Sequence, residues 1–456
     1  MPRRNYLIIL AMAVVSFACY GAVDHNRYGR FFAEVINKVD RDYVKPVDKE
    51  KLFDAAVNGM LATLDENSKF YEPEDAQSKL LSVIDQQFGG VGIEVSADPA
   101  TQQIVVRGTI VGSPAYAAHL LVGDRIAGID GQSIAPDPNR TTGPSLIEQA
   151  TKLIRGPIGT TVRLELIRAG QAKPVEVTLE RAEIRVDSVL GDSRNADDSW
   201  NFHLAGHPEI GYVRIRSFGD RTPQELQTAL TSIGADKLKG LVLDLRGDPG
   251  GRLDAAIDVC SFFIPSGQTV VTTRGRNDRV QEREISHGPA ICTDVPMVVL
   301  IDSMSASASE IVSACLQDYH RAVICGQRSF GKGTVQRIIP MGGNNSVLKL
   351  TTATYWRPSN KNIHRHKGAK DSDEWGVLPD KGFEVKMTDK ELDDWLKDRA
   401  ARDVVHRSQP PAIGDDPHAE AAAAIDPQLQ RAVDYLEHKP AEAAPAGTAE
   451  TKKNAA

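Results

Sequence analysis

Apolar residues along the chain change period several times, and each change marks a different kind of element. From about residue 27 to 87 they recur at helical spacing, first Phe31, Phe32, Val35, Ile36 and Val39, then Ala55, Ala56, Met60 and Leu61. Residues 43–48, with Pro46 and a capping aspartate at Asp48, interrupt this pattern, and residues 63–68 interrupt it again. A small helical packing unit is expected there. From about 88 to 183 strict alternation takes over. A glycine loop, Phe88-Gly89-Gly90-Val91-Gly92, runs into a strand at Ile93-Glu94-Val95. A strand at 104–106, a Gly112-Ser113-Pro114 turn, short helices at 115–120 and 146–154 and a strand and turn at 123–131 complete a β-rich module.

From 184 onward, strand–turn–helix units repeat. Residues 211–215 alternate, and Thr222-Pro223 opens a helix with proline at its first position. The buried-strand run 241–246 feeds Gly247-Asp248-Pro249-Gly250-Gly251 and a helix over about 253–263. The run 298–301 breaks into the small-residue turn 303–309, then a helical pattern with Ile311, Ala314, Cys315 and Leu316 on one side. Another strand, 322–325, leads into a glycine-rich loop holding Lys332, and residues 344–356 alternate once more. The repetition predicts an α/β core. Past Asp380 the chain is charged and helical in patches, with Leu392 and Trp395, then Leu429, Val433 and Leu436. Residues 408–424 read as linker and 440–456 as low-complexity, disordered chain.

Composition changes little in this picture. The 456 residues suffice for two or three domains, and 25% charged with 41% apolar residues is ordinary for a globular protein. A net charge of −7 gives no case for nucleic acid. The five cysteines have no short paired spacing, which argues against a zinc knuckle or a thioredoxin-like site, and Cys260, Cys315 and Cys325 read as core. His364 and His366 lack a third ligand and are read as part of a solvated loop. At the start, Arg3 and Arg4 precede an apolar run from Tyr6 to about Val23, which predicts a cleaved signal peptide or an uncleaved anchor, membrane association in the latter case, and an exported chain.

Chemistry concentrates between residues 299 and 336. Strand, small-residue turn and helix form the geometry that exposes a nucleophilic hydroxyl at a helix N-terminus. Lys332 is a candidate base, since a lysine drawn out of water can lose its proton near neutral pH. The Gly250-Gly251 turn leaves N–H groups ahead of a helix, where they could hold an oxyanion. Two look-alikes are set aside. Residues 326–334 approach a phosphate-binding loop, but Gly333 stands where the hydroxyl residue belongs and a strand follows instead of a helix. Ser346 and Lys349 form an SxxK, yet lie in an alternating strand that points them to opposite faces. The histidines are scattered, so a histidine-based triad finds no support.

Residues 88–183, with GSPAYAAHLLVGDRIAGIDGQSI inside them, resemble a PDZ domain of the kind found in bacterial proteases. In that reading the amides around Gly89, Gly90, Val91 and Gly92 receive a peptide's terminal carboxylate, and Ile93 begins the strand that the peptide extends. The wider chain, through SASASEIVSACLQDYHRAVICGQRSFGKGTVQ, DLRGDPGGRLDAA and YVKPVDKEKLFDAAVNGMLATLDENSKFYEP, resembles the carboxyl-terminal processing peptidases over about residues 30–385. The resemblance implies a crotonase/ClpP-like α/β protease core over 184–385 with an inserted PDZ domain over 88–183. A signal or anchor (1–26) and a helical segment (27–87) precede them, and a helical and disordered tail (386–456) follows.

Carried over by position, the resemblance makes Ser307 the nucleophile, Lys332 the general base and Gln336 the residue that orients it. The oxyanion hole would use the amide of Ala308 and one from Gly250 or Gly251. Arg155 matches an arginine linked to substrate sensing, and Asp318 an aspartate that affects activity in some members. Asp248 departs from the common Asn and Met304 from the common Gly. The implied activity is endopeptidase cleavage of exported proteins from their C-terminal region. The expected partners are protein substrates with apolar C-termini, no cofactor or metal is required, and homo-oligomerisation stays open. The competing readings are a catalytically inactive PDZ scaffold, which should have lost Ser307 or Lys332, and an esterase on the same core, which would not need the PDZ module.

Overall fold

The computed structural model describes residues 27–73, 87–98, 101–135, 145–341, 346–403 and 426–438, save 169, 172, 235 and 236, together with positions 5, 6, 10 and 12. The N-terminal apolar run lies mostly, and the stretches 408–424 and 440–456 wholly, outside these residues. Among the described residues, no helix is long and apolar enough to cross a membrane. The chain divides into two compact units, residues 1–73 with 337–351, and residues 74–336 with 352–456.

In the smaller unit the two expected helices are Arg27–Asp42 and Lys49–Ala62. Asp48 caps the second by accepting from the N–H groups of Glu50 and Lys51. Asp65 does the same for Asn67 and Ser68 at 2.7 and 2.8 Å, and the chain turns there into the strand Lys69–Tyr71. That strand pairs antiparallel with Val347–Lys349. The first helix has the expected amphipathic spacing but buries none of its residues, and Tyr28 and Phe31 stay exposed.

In the larger unit, the β-rich module is an antiparallel sheet ordered Ile93–Ala97, Ile104–Thr109, Arg125–Ile129, Thr161–Ile167, Val175–Glu180. Alternate residues turn inward, so Ile104, Val106, Ile126, Val162, Leu164 and Leu166 form one buried cluster. Each such side chain contributes roughly 1.5–3 kcal/mol when fully buried. Helix Leu146–Ile154 starts in a capping box between Ser145 and Glu148 and buries Ala150 and Ile154 against the sheet. Strand Ile93–Ala97 is left at the sheet's edge, beside that helix.

The α/β core is built on four adjacent parallel strands, His207–Ile215, Gly240–Asp244, Met297–Ile301 and Val323–Gly326. The middle two are buried at every residue, which explains their unbroken apolar runs. Helices Thr222–Ser232, Leu253–Ser261 and Ala308–Asp318 join the cluster on one face, and Pro427–His438 packs Ala432, Val433 and Leu436 into the cluster on the other. The expectation of a one-sided apolar helix at 308–318 needs correction. Every residue from Ala308 to Leu316 is buried, the polar ones included. Their polar atoms are satisfied internally: Ser309 Oγ donates to the Asp248 carbonyl and Ser313 Oγ to that of Ser309.

Candidate active site

Ser307 sits where the strand Met297–Ile301 has ended and helix Ala308–Asp318 is about to start. Its backbone is held at φ 57°, ψ −112°, a conformation that side-chain-bearing residues rarely adopt. A strained turn of this kind lifts a hydroxyl out of the backbone at the positive end of a helix. Of the serines in this turn, Ser305 and Ser309 are fully buried and donate to the carbonyls of Leu245 and Asp248, whereas Ser307 is half-buried.

The residue that organises the site is one that the motif comparison passed over. Glu310 lies one turn into the helix and is buried. Its Oε2 accepts from the N–H of Ser307 at 2.9 Å and from the N–H of Lys332 at 2.8 Å. Its Oε1 accepts from the Gly331 N–H at 2.6 Å and the Ser329 hydroxyl at 2.5 Å. One carboxylate therefore ties the backbone of the candidate nucleophile to the loop that carries the candidate base. Burial pushes this carboxyl up to about 7, against the pull of the four hydrogen bonds, which favour the anion. The sequence signal was present: Ser307-x-x-Glu310 is a capping-box spacing, and Glu310 does reach back to the Ser307 amide.

The glycine turn after Gly240–Asp244 closes over the same point. Asp302 Oδ1 accepts from the N–H groups of Gly247, Met304 and Ser305, and the Ala306 N–H donates to the Asp248 carbonyl, stitching the two turns together. Gly250 has φ +92°, and a Cβ there would lie 2.5 Å from the Ala306 carbonyl oxygen, 2.7 Å from Ala308 N and 2.9 Å from Ser307 Cβ. Only glycine lets this backbone come so close. The Gly250 N–H is already committed to Asp248 Oδ1 at 2.7 Å. Of the two glycines considered for an oxyanion hole, Gly251 is therefore the one with an amide to offer. Neither its N–H nor that of Ala308 donates to any described residue. Asp248 Oδ2 is buried with no hydrogen-bond partner. Burial, with the charge of Asp302 adding to it, pushes the Asp248 carboxyl well above the ordinary carboxylate range.

Lys332 is half-buried on a loop held from several sides: the Arg365 N–H donates to the Gly331 carbonyl and the Tyr355 N–H to that of Gly333. The segment read as a solvated histidine loop thus contributes backbone to the lysine loop at its start, while Arg365 to Gly368 remain exposed. Among the described residues no hydrogen bond joins the Ser307 hydroxyl to the Lys332 amine. Gln336 Nε2 donates to Thr334 Oγ1, two residues beyond Lys332. Asp318, at the far end of the helix, forms a bidentate ion pair with Arg357 and accepts from the Ser359 N–H. It sits away from the turn, as a structural clamp.

The candidate peptide groove lies in the module of antiparallel strands. Val91 and Gly92 fall between the strands Gln87–Gly90 and Ile93–Ala97, and neither amide donates to any described residue. Gly92 has φ +76°, and a Cβ there would meet Ser113 at 2.2 Å. Behind the loop, the Gly156 N–H donates to the Gly89 carbonyl, and Arg155 ends helix Leu146–Ile154. Gly90, Val91, Gly92, Ile93 and Arg155 all line one cavity of about 920 Å³.

Two family descriptions match this chain: peptidase family S41 over residues 209–381 and the PDZ domain over residues 80–136. A carboxy-terminal-processing protease of Bartonella bacilliformis is 37% identical over 405 residues, covering 87% of this chain and 86% of that protein. A carboxyl-terminal-processing protease of Synechocystis is 33% identical, covering 76% and 74%. Among solved structures, a photosystem II D1 C-terminal processing protease is similar at 26% identity over 78% of this chain and 92% of that one, with a TM-score of 0.43.

Proposed function

Since the chain belongs to peptidase family S41 and is a serine-type carboxy-terminal-processing protease, we propose that Ser307 is its nucleophile and Lys332 its general base. The observation that carries this is the Glu310 carboxylate, which accepts from the backbone N–H of both residues through a single oxygen. Two loops far apart in function would not need a shared buried acceptor.

The neutral amine of Lys332 takes the Ser307 proton as the hydroxyl oxygen attacks a peptide carbonyl. The carbonyl electron pair moves onto oxygen, and the amides of Ala308 and Gly251 receive that oxyanion. The tetrahedral species collapses, the C–N bond breaks, and the lysine proton passes to the leaving amine. Water then attacks the acyl-enzyme with the same amine as base, freeing Ser307. Before the first step, the Lys332 side chain has to turn to the hydroxyl, while Glu310 keeps both backbones in place. No metal or cofactor enters any step.

The PDZ module supplies the substrate: a C-terminal carboxylate on the Val91 and Gly92 amides, with apolar last residues along Ile93–Ala97. We further place the mature chain outside the cytoplasm, carried there by residues 1–26. Ser307→Ala and Lys332→Ala should each lower kcat/KM by on the order of 10⁴-fold on an unfolded protein with an apolar C-terminus. If either variant retains a tenth of the activity, the assignment fails. Fractionation of the host cell, with the mass of the mature N-terminus, checks the location.

A further inference from the structure

The groove beside Ile93–Ala97 has one wall more than its own module provides. The cavity lined by Val91, Ile93 and Ile147 is also lined by Leu396, Lys397 and Ala400, which belong to helix Asp389–Asp403. Ten of that helix's fifteen residues are charged, and they do more than face solvent. Its inner side is bolted to the α/β core through ions and one ring. Trp395 is buried with the Arg246 guanidinium 4.6 Å from its ring centre. Arg399 is buried, 3.2 Å from Asp192, and Arg402 reaches the same carboxylate at 3.0 Å. Asp403 pairs with Arg214 and Arg399. Positions 396 and 400, and 397 and 401, fall one turn apart on a neighbouring face of the helix, and all four line the cavity. Leu396 stays half-exposed there, an apolar side chain with room beside it.

The charges of the cavity are unequal. Arg107, Arg155, Arg216 and Lys397 line it, against Glu94 and Asp403. Glu94 faces Arg216 at 3.9 Å, and Asp403 is already neutralised by Arg214 and Arg399. Lys397 is held by an exposed pair with Asp393, a contact that a competing carboxylate can replace. A chain filling this space meets an apolar strip and a surplus of cations beyond the carboxylate-binding amides.

We propose that helix Asp389–Asp403 is a third wall of the tail-binding groove, and that Leu396, Lys397 and Ala400 select substrate tails with an apolar and an acidic residue just upstream of the captured C-terminus. The inference rests on the PDZ module capturing a C-terminal carboxylate, and its test separates the two claims. The probe is a set of fluorescent decapeptides with apolar C-termini, carrying Glu, Gln or Lys three to five residues from the end, titrated by anisotropy against the full-length Ser307→Ala chain. Amidating the C-terminus should weaken binding at least tenfold; unchanged affinity would overturn the capture itself. With capture intact, the Glu peptides should bind several-fold tighter than the Lys peptides. Lys397→Glu should reverse that order, and Leu396→Ser should weaken all free-acid peptides about fivefold. Both positions are exposed, so folding is not at stake. If amidation matters but the Glu and Lys peptides bind within twofold of each other, and neither variant changes this, the third wall is refuted.

Discussion

Replacing Glu310 by glutamine isolates the link on which the proposed dyad depends. The side chain keeps its shape but loses one acceptor oxygen and the charge. In wild type the two oxygens accept four hydrogen bonds, three of them from backbone N–H groups. The least costly arrangement leaves the amide oxygen on the Ser307 and Lys332 N–H groups and turns the NH₂ towards Ser329 and Gly331. Ser329 can rotate its hydroxyl, but the Gly331 N–H cannot move away and becomes a buried donor without an acceptor, at about 1–3 kcal/mol. The two bonds that survive lose their charge assistance, roughly 1 kcal/mol each. The total, about 3–5 kcal/mol, exceeds what a short loop can hold, so the Lys332 loop should detach while the core stays folded. The expected result is a fall in kcat/KM of at least about 10²-fold with a native circular dichroism spectrum. A second readout follows from titration. The Glu310 carboxyl rises from 4.5 to about 7 on folding, so the group takes up a proton between those values. Its contribution to stability is complete below that window and is lost as pH rises through 7, to the extent of roughly 3 kcal/mol. The proposed link needs the anion, so activity should increase over the same range. Thermal melts and kcat/KM measured from pH 5 to 8 should show these opposite trends in wild type, and both should be weaker in Glu310→Gln. A variant with kcat/KM within threefold of wild type at pH 7.5 would refute the link.

Asp248→Asn should remove a second pH dependence. Because burial raises the Asp248 carboxyl, its stabilising contribution is present below the ordinary carboxylate range and is lost as pH rises through the raised value. The melting temperature of Asp248→Asn relative to wild type should therefore climb from pH 5 to 9; a constant difference would contradict the burial argument. Gly250→Ala should place a methyl group against Ala306, Ser307 and Ala308 and reduce kcat/KM by about 10²-fold or more. Binding of tail peptides, measured by anisotropy, should be unchanged in that variant; a parallel loss would mean that the substitution had disturbed the whole unit.

Local features of the chain were legible where a residue type answers to its own backbone. The Asp48 cap and the proline that opens helix Thr222–Ser232 are each visible in a few letters and each present in the fold. The fully buried strands Gly240–Asp244 and Met297–Ile301 were legible for the same reason, since burial on both faces leaves a continuous apolar run. Helix Asp389–Asp403 was legible as a charged helical patch with Leu392 and Trp395, but its attachment was not: it is fixed by Arg399 and Arg402 on Asp192, a contact spanning some two hundred residues that no local pattern announces. Glu310 was missed for a related reason. A capping glutamate is common, and only the tertiary approach of Gly331 and Lys332 turns this one into a connector.

The site has a consistent physical logic. Three acidic residues, Asp248, Asp302 and Glu310, are spent on the N–H groups of loops that have no secondary structure to satisfy them. Asp302 binds the glycine turn to the serine turn, Asp248 fixes the Gly250 amide, and Glu310 binds the serine turn to the lysine loop. Each loop on its own would leave buried amides unpaired, which a folded protein does not tolerate. Together they form one rigid frame around Ser307, leaving the amides of Ala308 and Gly251 without acceptors among the described residues. A frame that fixes these turns yet leaves those two amides beside Ser307 without acceptors is pre-organised for one more acceptor, and a developing oxyanion is the acceptor that the proposed chemistry brings. The freedom left to the proposed dyad lies in the Lys332 side chain, so reorientation of that side chain, and not movement of the proposed oxyanion amides, should be what substrate binding has to drive.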